Sequence, residues 1–575
     1  MKLLEALHLS KQPVTANAAD FRVALVCGFQ PVHLMTFLAA HLRLRLPERR
    51  ISIVAGLFGD ILGSLERIDP SDFQAVLIHL EWPDLDARLG VRQLGVWSIA
   101  SEQEIASRAR NFLDMLSKTL SAIAERCRVV CSLPTLPWPP FAHTPLWQAS
   151  EAELRLREDI TRFALAVAAS GVQILSPGEV DRRSAPQSRR DIKAEIFSGF
   201  PYQMAYADIL AELSAWALAP PAPKKGLITD LDETLWSGIL GEVGVAGITW
   251  DLDHSSQVHG LYQQLLRSLG DAGVLISIAS KNDPELVGQA LARPDLLIDP
   301  GQIFPVEANW GAKSQSIRRI LEVWNIAADA VVFVDDSPME LAEVKRALPQ
   351  IHCMQFAAAD PSAVQASLYE LRNLFGKSHI SDEDSLRAES IRHAGERLLR
   401  AEESEALSND AFLEGAEGVI SVTRAKRPYD PRALELVNKT NQFNLNGRRW
   451  EDAEWKRYIS RSDTDYFLVS YTDKFGPLGK IAVLCGRKQE SLFIVDIWVM
   501  SCRAFSRKIE HSCLKYVFDK LAVQAIRFEF LATERNGPLQ DFLRYYLDSP
   551  DGRLETLSLE IFGKKSPKLF AALEK

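Results

Sequence analysis

The stretch GLITDLDETLW (226–236) decides the reading of this chain. An apolar run, GLIT, stops abruptly at Asp230-Leu231-Asp232-Glu233-Thr234. Reactive groups of α/β proteins gather at the carboxyl ends of parallel strands, so a strand ending in two carboxylates marks a candidate site. An i, i+2 pair straddles a strand, but past the strand end a turn can aim both groups at one point. Asp230 is then placed to attack phosphorus as a nucleophile. Asp232 is placed to protonate the leaving oxygen and later to activate water. Two carboxylates repel a dianionic phosphate, so the chemistry calls for Mg²⁺ on oxygen ligands.

Three further pieces follow in order. VLISIAS (274–280) is a second buried strand, ending in Ser280, and it opens the run SKND. Ser280, Lys281 and Asn282 are candidate phosphate-binding residues. NWGAKS (309–314) offers Lys313 as a point charge for a phosphoryl group. VVFVDDSPME (331–340) is a third apolar strand, ending in Asp335 and Asp336. The expected metal ligands are Asp230, Asp232, Asp335 and Asp336. Each piece alone is common on a protein surface, as a turn, a cap or a solvated lysine. Their order, with each acidic or hydroxyl motif following its own apolar strand, makes the consistent reading a phosphoryl-transfer site. Only 47 residues separate Asp232 from Ser280 and 32 separate Ser280 from Lys313, which leaves no room for a large cap domain. WSGILGEVGVAGITW (236–250) reads as a short hairpin flap over an open site.

Outward from this core, the chain alternates strand and helix. FRVALVC, RISIVAGLFG, FQAVLIHLEW and RVVCSLP are strands separated by helical segments, which predicts a doubly wound parallel sheet over 1–220. The Pro-rich LAPPAPKKG (218–226) is a linker. The second α/β domain spans 221–375, a charged helical connector with the cap signature SDEDSLRAES spans 376–418, and an α+β domain spans 419–575. The chain has 575 residues and a formal net charge of −9, which argues against a general nucleic-acid binder. Seven scattered cysteines with no CxxC pair indicate neither a zinc site nor a disulfide framework. The opening MKLLEALHLSKQPV shows no signal h-region, and no apolar run is long enough to span a bilayer, so a cytoplasmic location away from membranes is expected.

The four motifs resemble, in order, those of the haloacid dehalogenase (HAD) superfamily. DLDETLWSGILGEVG, SKND, NWGAKS and DDSPME together resemble its FkbH-like family. That resemblance implies a capless, Rossmann-like HAD domain that dephosphorylates 1,3-bisphosphoglycerate and loads a glyceryl unit onto an acyl carrier protein, in polyketide or related natural-product pathways. The substrate would be a small phosphorylated three-carbon compound, and the acceptor the carrier's phosphopantetheine thiol. GLFGDILGSLERIDPSDFQAVLIHLEWPDL (56–85) is similar to the family's SGNH-hydrolase-like N-terminal region. LVNKTNQFNLNGRRW (436–450) and SCRAFSRKIE (501–510) are similar to its GNAT-like C-terminal region. The alternative is a phosphatase of another small or carrier-bound ester, or a catalytically altered carrier-binding scaffold.

This chain departs from the family pattern at four positions. Glu233 replaces the usual Asn, Ser337 replaces another Asn, and Leu341 an Arg. Ala279 stands where many members carry a cysteine proposed to hold the glyceryl thioester. In the C-terminal domain Ser506 and Lys508 occupy the glycine positions of a CoA-binding loop, where a side chain obstructs the close approach of backbone to pyrophosphate. Arg503 and Arg507 can still grip phosphate, so Asn438, Asn441, Gln442, Cys502, Arg503 and Arg507 are candidate acyl or pantetheine contacts. The amides of 438–442 equally suit a helix cap and turn. The N-terminal strand ends in CGFQP with no serine, Cys27 reads as core, and His33, His79 and Asp181 have no evident partners, so hydrolase activity is not expected there.

Overall fold

The computed structural model describes the chain except for residues 15–17, 95–96, 99–100, 378–390, 393–394, 396–413, 475, 502–503, 505–506, 534, 548–554 and 575. The connector expected over 376–418 and its SDEDSLRAES cap lie largely outside the described residues. The chain forms two compact units: Met1–Pro221 with Glu451–Arg457, and Ala222–Trp450 with Tyr458–Lys575. The boundary between Pro221 and Ala222 falls in the Pro-rich linker. No helix among the described residues is long and apolar enough to cross a membrane.

The first unit is built on a five-stranded parallel sheet in the order β2-β1-β3-β4-β5. Its strands are β1 (Asp20–Cys27), β2 (Arg50–Ala55), β3 (Ala75–His79), β4 (Arg128–Ser132) and β5 (Gln173–Ile174). β1 is apolar on both faces: Ala24 and Val26 join one core, and Val23, Leu25 and Cys27 the other. That continuous apolar run is what a sheet covered on both sides demands. Cys27 donates to the Phe29 carbonyl at 3.3 Å, and burial pushes its thiol well above the ordinary range, so it is a core residue. Buried His79 meets Ser214 at 3.2 Å and is driven down to about 3 by burial, whereas Asp181 pairs with Arg189 at 2.6 Å and His33 packs edge-on against Phe200. The three residues serve separate local contacts. Gly28 is required where it stands, because a Cβ there would fall 1.7 Å from the Asp84 carboxylate.

The second unit carries two sheets. The first is five-stranded and parallel, in the order β10-β9-β6-β7-β8. These are β6 (Gly226–Thr229), β7 (Leu275–Ser280), β8 (Ile303–Ala308), β9 (Val331–Asp335) and β10 (His352–Gln355). β6 is central, flanked by β9 and β7. Thr229 registers with Ile278 on one side and Val334 on the other, so the residues just past these three strands emerge side by side. Leu227 and Ile228 point into opposite cores of this layer. Gly226 opens β6 because a Cβ would lie 2.5 Å from the Trp324 ring, whose indole donates to the Phe304 carbonyl.

The other sheet has seven strands in the order β16-β15-β14-β13-β12-β11-β17. They are β11 (Val419–Thr423), β12 (Asp465–Asp473), β13 (Gly476–Gln489), β14 (Leu492–Met500), β15 (Ala525–Phe528), β16 (Glu555–Ser558) and β17 (Ala572–Leu573). β14 pairs parallel with β15 and β11 with β17, and the other pairings are antiparallel. Helix Ile509–Leu521 covers it, with Ile509, Cys513, Leu514, Val517 and Phe518 in the core.

Candidate active site

The Asp230 backbone N–H donates to the Val334 carbonyl at 2.9 Å, which extends the β6 ladder by one residue and fixes the aspartate at the sheet edge. Asp335 ends the neighbouring strand, and Asp336 follows it. Oxygens of Asp230, Asp335 and Asp336 lie within 4.8 Å of one another. Asp335 is fully buried and Asp230 nearly so.

Lys313 is the first residue of helix Lys313–Trp324. Ser314 anchors that end, donating its hydroxyl at 2.5 Å and its N–H at 3.2 Å to Glu343 on helix Pro338–Ala347. The Lys313 ammonium is buried among three carboxylates: Asp335 at 2.5 Å, Glu340 at 2.5 Å and Asp230 at 3.0 Å. Asp230 Oδ1 and Glu340 Oε2 meet this ammonium as buried ion pairs, and the Asp335 contact is the directed hydrogen bond. The remaining Asp335 oxygen accepts the Ser337 N–H at 2.8 Å.

The electrostatics follow from this crowding. Burial pushes the Asp230 carboxyl well above the usual carboxylate range, against the pull of Lys313. Burial raises Asp335 and Asp336 as well. Burial disfavours the Lys313 ammonium, but the Asp230 and Asp335 charges outweigh it and hold the group protonated. Burial works upward on Glu340 too, and the bonds from Lys313 and Lys281 outweigh it. Four carboxylates (Asp230, Asp335, Asp336 and Glu340) face two ammonium groups, a surplus of negative charge that fits a small dication. The hard oxygen donors, gathered within 4.8 Å of one another, suit Mg²⁺ held by Asp230, Asp335 and Asp336.

One expected ligand stands apart. The Asp232 carboxylate is turned from the cluster: Oδ1 accepts the Trp236 indole N–H at 3.0 Å and the Leu240 N–H at 3.1 Å, and Oδ2 accepts the Asn282 amide at 2.9 Å. The turn after β6 splits the two aspartates between metal cluster and flap. The same Asn282 amide reaches the Ser280 hydroxyl at 3.3 Å. Ser280 and Asn282 are therefore buried together beside Asp232, whereas Lys281 stands partly exposed and pairs with Glu340 at 2.9 Å.

The expected flap is present as a narrow hairpin. Ser237 and Thr249 exchange backbone bonds at 2.8 and 3.1 Å, and helix Leu240–Val243 sits at its tip. Glu233 has φ +53°, and its carboxylate accepts the Gly238 N–H at 2.7 Å, while its charge still adds to the upward push on Asp336. Ala279 is fully buried against the core that holds Ile228 and Phe333, the opposite side of β7 from Ser280.

About two thirds of the chain shares its fold with a solved structure. The crystal structure of the N-terminal part of the protein BF1531 from Bacteroides fragilis, which contains a phosphatase domain and is complexed with Mg, matches 66% of this chain and 100% of its own, at 19% identity and TM-score 0.51. At that identity the likeness establishes the fold alone. LAE5, an α/β hydrolase enzyme from the metagenome of Lake Arreo, Spain, matches 35% of this chain and 96% of its own at 14% identity and TM-score 0.23. The ribosomal-protein-S18-alanine N-acetyltransferase of Escherichia coli matches 24% and 90% at 12% identity and TM-score 0.17. Likenesses that slight carry no weight for function. No protein-family model and no curated protein matches the chain.

The C-terminal candidates are dispersed. The Asn438 amide bonds both the N–H and the carbonyl of Trp450 at 2.8 Å, which closes the loop between them. Asn441 bonds Arg449. Gln442 keeps a buried side-chain oxygen without a bonded donor. Arg507 is buried 3.4 Å from Asp473 and lies against the Tyr471 ring, turned inward instead of toward a phosphate. Cys502 and Arg503 lie outside the described residues.

Two contributors had little sequence signal. Glu340 is the last letter of DDSPME, and its bridge between two lysines depends on distant parts of the chain. Glu343 is an ordinary helix carboxylate until Ser314 meets it.

The raised carboxyls give a linkage prediction. Their folded values exceed unfolded ones, so protonation stabilises the metal-free site at acid pH, and this contribution is lost as pH rises toward neutrality. Mg²⁺ requires the ionised forms, so its stabilising increment grows through the same window. Thermal unfolding with and without Mg²⁺ should show a larger rise in Tm at neutral than at acid pH. An increment independent of pH would contradict the assignment.

Proposed function

We propose that this chain is an Mg²⁺-dependent phosphoryl-transfer enzyme of the HAD type that forms an aspartyl-phosphate on Asp230. The observation that carries this reading is the buried Asp230 oxygen at the end of the central strand, 3.0 Å from Lys313 and beside Asp335 and Asp336. An Asp230 oxygen bonds to phosphorus as the bond to the leaving oxygen breaks, and Asp232, protonated and released from its flap contacts, gives that oxygen a proton. Water then attacks the phosphoryl group, with Asp232 taking its proton, and Asp230 is restored. Lys313 neutralises the phosphoryl oxygens, while Ser280 and Asn282 stand ready to donate hydrogen bonds. Mg²⁺, when bound, supplies the positive charge that lets a dianionic phosphate approach these carboxylates.

The motif resemblance extends the proposal to 1,3-bisphosphoglycerate and an acyl carrier protein: the carrier's thiol attacks the acyl carbonyl and expels that phosphate, while Asp230 takes the phosphoryl group of the phosphate ester at the other end. The shared fold of the neighbour complexed with Mg supports the phosphatase half. Because position 279 faces the core, its alanine removes no thiol from beside Ser280 in this fold, which favours direct transfer to the carrier's own thiol. The test incubates the protein with 1,3-bisphosphoglycerate, Mg²⁺ and phosphopantetheinylated carrier, then measures released phosphate and the carrier's intact mass. A glyceryl adduct with phosphate release abolished by EDTA is expected. Phosphate release without an adduct would reduce the function to a phosphatase of another ester.

A further inference from the structure

Lys313 already supplies the cation that the transferred phosphoryl group needs, yet a second lysine is tied into the same cluster. Lys281 follows Ser280 at the end of β7, and its ammonium lies 2.9 Å from one oxygen of Glu340. The other oxygen of that carboxylate is 2.5 Å from Lys313. One glutamate thus spans a buried cation, 5% exposed, and a rim cation, 41% exposed. A lone surface Lys–Glu pair contributes little and does not hold a lysine in place. Here the carboxylate is only 15% exposed and also pairs with Lys313, so it ties the exposed Lys281 ammonium to the edge of the cluster. Two ammonium groups share this one carboxylate, which leaves Lys281 able to take a second anionic partner from solvent. A single residue, Glu340, bridges Lys313 to Lys281, so an ester whose phosphoryl group meets Asp230 and Lys313 can extend its remainder to the exposed Lys281 ammonium.

We propose that Lys281 is a specificity residue that pairs with a second acidic group of the phosphate ester, and that Glu340 is the positioning residue that holds it there. This rests on the site being a phosphoryl-transfer centre. The substrate class is then a small phosphate ester bearing a further carboxylate or phosphate, in preference to one whose remainder is neutral.

The probes are 3-phosphoglycerate and glycerol 3-phosphate, which differ in a carboxylate against a hydroxymethyl group. Binding of each to the full-length Asp232→Asn protein in Mg²⁺, which keeps Asp230, Asp335 and Asp336 for the metal, is measured by calorimetry, alone and combined with Lys281→Met, Lys281→Arg or Glu340→Gln. A charge-assisted bond gives the carboxylate ester an advantage of about tenfold or more in Kd. Lys281→Met should erase that advantage, Lys281→Arg should restore it, and Glu340→Gln should reduce it. Equal affinity for the two esters, or a preference that survives Lys281→Met, overturns the assignment, as does binding of neither. Phosphate release by the unsubstituted protein is followed in parallel. Asp230-dependent release without the preference retains the chemistry and removes Lys281's role. A preference without any release does the reverse.

Discussion

Asp230→Asn is expected to lower Mg²⁺-dependent phosphate release by about four orders of magnitude, since loss of a nucleophile removes the covalent route itself. The amide keeps the shape of the carboxyl but cannot attack phosphorus. The same substitution should not unfold the protein. Burial already disfavours the Asp230 charge, and Lys313 keeps Asp335 and Glu340 as partners. The metal-free variant is therefore expected to unfold no earlier than the parent, and to lose most of its stabilisation by Mg²⁺. Steady-state kinetics and thermal unfolding check the two halves. A variant that keeps activity, or one that is inactive only because it is unfolded, would count against a nucleophilic role.

Lys313→Met has the second large effect, and it reaches stability as well as catalysis. The apolar side chain fills similar space but leaves Asp230, Asp335 and Glu340 facing one another without a cation. Removing one member of a buried ionic cluster costs roughly 3–5 kcal/mol. Denaturant unfolding in EDTA should show that loss in the transition of the second unit. Added Mg²⁺ should recover part of it, because a dication can take over the neutralisation of the same carboxylates. Turnover stays low even in Mg²⁺, since the ammonium that faces the phosphoryl oxygens is gone. An unfolding transition unmoved by the substitution would mean that the buried pairs contribute nothing net.

The parts of this molecule that were legible in the sequence are those governed by local pattern. GLIT, VLISIAS and VVFVDD are apolar runs with a polar stop, and β6, β7 and β9 end where those stops occur. The hairpin flap was legible for the same reason, as a Gly-rich stretch between two tryptophans that closes on itself. Asp232 shows the limit. Spacing alone could not say that the turn would send its carboxylate to Trp236, Leu240 and Asn282 instead of to the metal cluster. Glu340 was invisible because its partners lie just past the end of β7 and at the start of another helix. In the C-terminal domain, five adjacent polar residues allowed either a site or a structural turn. Asn438 resolves to the structural role, since both ends of its amide hold the Trp450 backbone. In sequence Arg507 suits a phosphate grip, whereas in the fold it pairs with Asp473, distant along the chain.

The central claim is a covalent phosphoryl group on Asp230, and trapping it is the most direct test. The protein is mixed with 1,3-bisphosphoglycerate, the proposed substrate, and Mg²⁺, quenched in acid within one turnover, and its peptides are weighed. The added mass of one phosphoryl group is predicted on the peptide holding Asp230, absent in EDTA and absent in Asp230→Asn. A phosphoryl group on any other residue, or rapid phosphate release with no covalent species under single-turnover conditions, would contradict the account.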